Sequence, residues 1–180
     1  MRNPKIYLSI CLVALAGLLA GCSPRGSQIY EDPAFSFEIP AGWQLMSDLW
    51  PNYAAGRDYY QLGVTEIEMI TSARKQGEFG AYFAVASAPM PEGVSLGDLF
   101  HQTYAPIQDQ VTDESERTVE LDGMTGYEMR YRRPWGEPWW WFQDLWLEKD
   151  GTVYVLSFHG LTRESFQEQA DAILTGFHFK

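Results

Sequence analysis

Cysteine is nearly absent from this 180-residue chain: there are two, Cys11 and Cys22, and none follows. From residue 23 onward the chain can form no internal disulfide, no thiolate nucleophile and no cysteine metal site. A domain that lacks disulfides must be held together by its core packing. Positive charge is also scarce, with 13 Lys and Arg against 24 Asp and Glu, a net charge of −11. Such a surface repels phosphate backbones, so no nucleic-acid partner is expected. Long hydrophobic runs are missing too. The longest, Ile6 to Ala20, falls short of the roughly 20 apolar residues that a bilayer span needs. Motifs that carry chemistry are lacking as well: no HExxH, no Gly-x-Ser-x-Gly elbow and no phosphate-binding glycine loop. His101, His159 and His178 are far apart in sequence, and no other residues nominate themselves as metal partners. Neither a catalytic residue, a metal nor a cofactor is expected.

What is present begins at the N-terminus. Met1-Arg2-Asn3-Pro4-Lys5 carries two positive charges and no negative ones, and the apolar run that follows has the length of a signal-peptide core. It ends in Leu19-Ala20-Gly21-Cys22. This resembles the bacterial lipoprotein lipobox, in which two small residues fit a peptidase cleft and the cysteine thiol takes a diacylglyceryl group before cleavage. The expectation is a signal peptide over 1–21, a lipidated tether over 22–29 and a single domain over 30–180, with the lipid bilayer reached through acylated (palmitate-type) Cys22. Two or three acyl chains suffice for stable attachment. Ser23, rather than Asp, after the cysteine implies the periplasmic face of the outer membrane in a host that has one. Removing residues 1–21 takes Arg2 and Lys5 with it. That leaves 11 cationic against 24 anionic residues, a net charge of −13, so the acyl chains and not a basic patch must do the anchoring.

Periodicity then predicts the elements. Phe35-Ser36-Phe37-Glu38-Ile39 alternates as a half-buried strand does, and Trp43 to Met46 returns after the turn at Pro40–Gly42. Ile67–Ala73 and Ala81–Ala88 read as strands around a turn at Gly77 and Gly80, while Ser47–Gly63 reads as a long loop. Ser95 and Asp98 have capping-box spacing before a helix whose stripe is Leu96, Leu99, Phe100, Tyr104 and Ile107, ended or kinked by Pro106. Arg117–Leu121 and Tyr127–Arg132 alternate as half-exposed strands around Asp122-Gly123, with a loop longer than two residues. The next pair differs. Trp139–Glu148 places Trp139, Trp141, Leu145 and Leu147 on one face and Trp140, Phe142 and Trp146 on the other. Thr152–Phe158 splits Val153 and Val155 from Tyr154, Leu156 and Phe158. Strands apolar on both faces belong in the middle of a sheet covered on both sides. Thr162 caps a last helix with the stripe Phe166, Ala170, Ile173 and Leu174, Gly176 is its C-cap, and Phe177–Phe179 adds a short strand. The fold class is α+β, a mostly antiparallel sheet sandwiched by helices.

Tyr30-Glu31-Asp32, then Phe35-Ser36-Phe37-Glu38-Ile39-Pro40-Ala41-Gly42-Trp43, resembles the opening of the PsbP-like family. Gly151-Thr152-Val153-Tyr154-Val155-Leu156 and the closing Ile173-Leu174-Thr175-Gly176-Phe177-His178-Phe179 are similar to its end. The resemblance spans nearly the whole domain and implies an antiparallel sheet between helical layers, in a family of mostly non-enzymatic binding and assembly factors. It brings no catalytic residue, and nothing in the chain demands a photosynthetic role.

Five of the seven tryptophans lie between Trp135 and Trp146, just after Arg130, Arg132 and Arg133. One reading is a partner-binding surface built on Arg133, Trp135 and Trp139, because Trp and Arg dominate binding hot spots. The other is that Trp139, Trp141 and Trp146 are core, with Arg130 and Arg132 paired to carboxylates. A third places Trp135 and Trp139 at the bilayer interface. The function expected is a membrane-tethered, non-catalytic binding or assembly domain contacting an envelope protein. The alternative is a periplasmic carrier of an apolar or aromatic small molecule with Trp140 and Phe142 lining its pocket, and an enzyme stands third.

Overall fold

A computed structural model describes residues 26–46, 68–75, 81–134 and 139–180. Among the described residues, ten strands and two α-helices run in the order β1 (Gln28–Glu31), β2 (Phe35–Ile39), β3 (Trp43–Leu45), β4 (Glu68–Lys75), β5 (Ala81–Pro89), α1 (Leu96–Tyr104), β6 (Thr112–Leu121), β7 (Met124–Pro134), β8 (Trp139–Lys149), β9 (Thr152–Gly160), α2 (Glu164–Thr175) and β10 (His178–Phe179). Seven strands form one sheet in the order β3-β4-β5-β9-β8-β7-β6, and β1-β2-β10 form a second, small one. Every pairing is antiparallel. The protein is therefore an α+β sandwich, with one difference from expectation: the layer over one face of the large sheet is α2 plus the small sheet, not helix alone. β1 also starts at Gln28, inside the stretch read as tether.

The two-faced alternation of β8 and β9 is what builds both cores. Trp140, Phe142, Trp146, Val153 and Val155 pack under α1 with its Leu96, Leu99, Phe100 and Tyr104. Leu145, Leu147, Tyr154, Leu156 and Phe158 face the other way, against Phe35 and Phe37 of β2 and Phe166, Ala170 and Ile173 of α2. Phe177 stacks on Phe35 with ring centroids 5.2 Å apart. Each such buried Phe or Leu contributes roughly 1.5–3 kcal/mol.

Local chemistry sets the boundaries. Ser95 caps α1: its Oγ accepts from the Asp98 amide at 3.1 Å and donates to the Asp98 carboxylate at 2.6 Å. The α-helix stops at Tyr104, and Pro106 lies in a 3-10 turn, Ala105–Gln110, that follows. Thr162 Oγ1 accepts from the Ser165 amide at 3.2 Å, closing the first turn of α2. Gly176 is the C-cap, at φ −95° rather than in the left-handed region. The β6–β7 hairpin is tighter than its sequence suggests. Leu121 pairs directly with Met124, so the loop is only Asp122-Gly123, with φ of 51° and 77°. The same geometry recurs at Asp150-Gly151, φ 52° and 74°, between Lys149 and Thr152. Positive φ at both central residues is the type I′ signature that matches strand twist, and Asp-Gly adopts it readily.

Candidate functional site

Trp139 and Arg133 fall on opposite faces of the sheet. Arg133 is half-buried and pairs in register with Trp140 on the α1 face, whereas Trp139 opposes Pro134. Trp139 is 41% exposed, one of the few large apolar side chains that reach solvent. Its cationic companion is Arg132, whose guanidinium carbon lies 5.9 Å from the Trp139 ring and 5.2 Å from that of Trp141. Arg132 also meets Asp113 of β6 at 3.7 Å. Trp146 is fully buried and Trp141 half-buried, so the cluster divides between core and surface along the alternation of β8. Trp135 and Cys22 lie outside the described residues.

On the same face as Trp141 and Arg132, β6, β7 and β8 present polar side chains where apolar ones would be expected. Glu128 is only 1% exposed. Arg117 donates to it through Nε at 2.6 Å and a terminal nitrogen at 3.0 Å, Arg130 pairs with it as an ion at 2.7 Å and donates from a terminal nitrogen at 3.4 Å, and Gln143 Nε2 donates to it at 2.8 Å. This hydrogen-bonded pairing holds the Arg117 guanidinium above its ordinary pKa. Two cations therefore surround this buried carboxylate, and the charge of Asp171 also acts on Arg117. Beside it a shallow, solvent-open recess lies between the sheet and the first turn of α2, lined by Arg130, Trp141, Gln143, Asp113, Arg163 and Gln167 among others. Gln143 is buried, and its Oε1 has no hydrogen-bond partner. Such an acceptor costs about 1–3 kcal/mol when left unpaired.

The α1 face carries a different polar group. Asp144 is fully buried and accepts from Tyr104 at 2.8 Å, Tyr131 at 2.9 Å and Ser157 at 2.5 Å, while the Trp146 indole donates to the Tyr104 hydroxyl at 3.1 Å. Nearby, His159 stacks on Tyr82 and Phe142 at 5.0 and 5.4 Å. Burial pushes its pKa down to about 3, so it is neutral at physiological pH. His101 bonds Glu116 at 3.0 Å at the surface, and His178 lies 3.3 Å from Asp122. The three histidines thus occupy three separate sites. Among the described residues no group of three or more His, Cys, Asp or Glu is placed to hold a metal ion. Trp140 and Phe142, the rings that a carrier pocket would need, are core: Phe142 stacks on Tyr131 at 5.1 Å, and Trp140 lies 5.9 Å from Tyr82.

Sequence reasoning missed the recess and the Glu128 cluster. The signal that could have found them is the run Glu128, Arg130, Arg132 on one face of β7, opposite a strand, β8, that is apolar on both faces.

No protein-family model matches the sequence, and no curated protein is similar to it. Solved structures do match in fold. The cyanobacterial PsbP protein (CyanoP) of Synechocystis sp. PCC 6803 is 15% identical over 89% of this chain and 96% of its own, with a TM-score of 0.59. LpqN of Mycobacterium tuberculosis, a protein involved in cell envelope biogenesis, is 9% identical over 86% and 90% of the two chains, with a TM-score of 0.55. A Bacteroides thetaiotaomicron protein is 10% identical over 86% of this chain and 48% of its own, with a TM-score of 0.54. The chain has a PsbP-like fold, the architecture that its first and last strands resemble in sequence. At these identities the likeness concerns fold alone.

Proposed function

We propose that this PsbP-like domain is a non-catalytic binding or assembly module, held at the cell envelope by acylated Cys22 and contacting a protein partner through the surface around Trp139. The observation that carries the reading is Leu19-Ala20-Gly21-Cys22 behind a charged start and a short apolar run. Among the described residues no helix is long and apolar enough to cross a membrane. The exposed indole of Trp139, braced by Arg132, supports the partner surface, because Trp and Arg beside each other are the usual hot-spot chemistry. A place at the envelope also agrees with the role of LpqN, which shares the fold.

Metabolic labelling with an alkynyl fatty acid tests the anchor. The wild-type chain takes up label and sediments with membranes, and Cys22→Ser loses both properties. An unlabelled wild-type chain sinks the reading. Crosslinking in intact membranes tests the surface: Trp139→Ala leaves the fold unchanged and removes the crosslinked protein species.

A further inference from the structure

We infer that the open edge of β6 takes up, as an added antiparallel strand, an extended segment of a partner protein in which lysine or arginine alternates with apolar residues.

The backbone makes the site. β6 stands last in the order of the large sheet, so among the described residues one of its sides has no neighbouring strand. A register shift between Thr112 and Ser115, with Asp113 at φ 54°, interrupts its first residues, and from 115 to 121 every residue pairs in step with β7. In a two-residue hairpin the residues that flank the loop, here Leu121 and Met124, form a hydrogen-bonded pair, and such pairs recur at every second position. Ser115, Arg117, Val119 and Leu121 therefore turn their backbone groups toward β7. The N–H and C=O groups of Glu116, Thr118 and Glu120 point away from the sheet, and all three residues are exposed. No backbone hydrogen bond from a turn, loop or cap reaches them. A row of outward donors and acceptors is a template for one more strand.

The side chains select the occupant. Glu116, Thr118 and Glu120 share the α1 face: Glu116 lies 3.0 Å from His101 of α1, and Glu120 accepts from the Thr125 hydroxyl at 2.7 Å. Among the described residues no lysine or arginine comes within ion-pair distance of either glutamate. Arg117 points to the opposite face, where Glu128 holds it. On that face Val119 and Leu121 are half-buried and pack against the core. A second copy of the chain is the wrong occupant. The register that uses all the outward groups centres on Thr118 and sets Glu116 of each copy opposite Glu120 of the other, and like charges directly opposite destabilise a strand pair. A strand with cations at alternate positions turns both contacts into opposite-charge pairs. Its intervening apolar side chains then cover Val119 and Leu121. An antiparallel addition also continues the pattern of the sheet, in which every pairing is antiparallel.

Neither Cys22 nor Trp139 takes part, because residues 115–121 pair with residues 124–130 of β7, away from Pro134 and Trp139. Failure of this inference therefore leaves the proposed function standing. The test uses the full chain in uncharged detergent micelles and the capped heptapeptide Val-Lys-Val-Lys-Val-Lys-Val. In the free protein the Glu116, Thr118 and Glu120 amides exchange with solvent at least tenfold faster than those of Arg117 and Val119. The peptide produces saturable NMR shifts at those three amides and slows their exchange. Two methylated peptides of equal charge separate strand pairing from general attraction to an acidic protein. N-methylation of the lysines blocks the amides that face β6 and weakens binding about tenfold or more, whereas N-methylation of the inner valines blocks amides that face solvent and changes it less than about threefold. Glu116→Lys with Glu120→Lys, both at exposed positions, leaves the chain folded, weakens the lysine peptide about tenfold and admits its glutamate counterpart. The inference is overturned if the lysine peptide shifts none of the three amides, or if the lysine-methylated peptide binds as tightly as the valine-methylated one. It is equally overturned if the charge-reversed chain still prefers the lysine peptide, or if the chain alone self-associates and protects the same amides.

Discussion

Two carboxyl groups are buried in one sheet, on its opposite faces, and they are satisfied in different ways. Asp144 sits under α1 and is held by hydroxyls: Tyr104, Tyr131 and Ser157 close around it, and Trp146 braces Tyr104. Glu128 sits on the α2 face and is held by guanidiniums, with Gln143 as the third donor. The hydroxyls around Asp144 are neutral donors, and helix and aromatic rings seal them in. Guanidiniums each bring several donors and a full charge, and two of them around one carboxylate leave donors to spare on the sheet. That face stays partly open to solvent. The same task, burying a carboxyl group, yields a closed structural core on one side and an unfinished polar surface on the other.

Removing each acceptor tests this contrast. Glu128→Leu strands Arg130 among buried neighbours and should destabilise the fold by about 3–5 kcal/mol in urea denaturation. Replacing the partner as well, Glu128→Leu with Arg130→Met, should recover most of that loss, because an apolar substitute for a whole ion cluster is often neutral. A double variant as unstable as the single one would show that the cluster is not the unit proposed.

The α1 face should respond to acid. The folded chain holds His159 neutral down to about pH 3, whereas the unfolded chain protonates it near its ordinary value of 6.5. Between those values the unfolded state binds the extra proton, so stability is complete above about pH 6.5 and falls as the pH drops. From pH 6.5 to 5 the loss is about 1.5 kcal/mol. His159→Gln should flatten the curve in that window, above the range where carboxylates begin to titrate. An unchanged slope would remove His159 as its cause.

Within the Asp144 network, Tyr131→Phe should cost about 1 kcal/mol. Tyr104→Phe should cost more, since it also deprives the Trp146 indole of its acceptor. Equal effects in denaturation would mean that the two hydroxyls are interchangeable. The smallest change is expected at Trp139→Ala, within about 0.5 kcal/mol, as for other exposed positions.

Much of the fold was legible in the sequence because it rests on periods of two and of 3.6. The opposed faces of β8 and β9, the Ser95 cap and the stripe of α1 all follow from spacing alone. What spacing does not carry is which surface a strand meets. Glu128, Arg130 and Arg132 alternate as a solvent-facing row would, yet Glu128 is buried, because its partners Arg117 and Gln143 come from neighbouring strands 11 and 15 positions away. The recess depends in turn on where α2 begins over that row. β1 was hidden for another reason: its residues are mostly exposed, so no apolar alternation marks it. Arg133 and Trp139 look like one cluster along the chain, but they are parted by the same alternation that builds the core.

β1 has a mechanical consequence. Among the described residues it is an edge strand, four residues long, paired with β2 alone and mostly exposed. A load between the proposed lipid anchor and anything gripped by the domain enters the fold there first. Under tension β1 can peel from β2 while the large sheet keeps its pairing, and at about 3.3 Å per residue its release lengthens the leash by roughly 13 Å. With the anchor proposed at Cys22, the link between domain and membrane would be short and extensible, its length responding to load as well as to the number of residues in it.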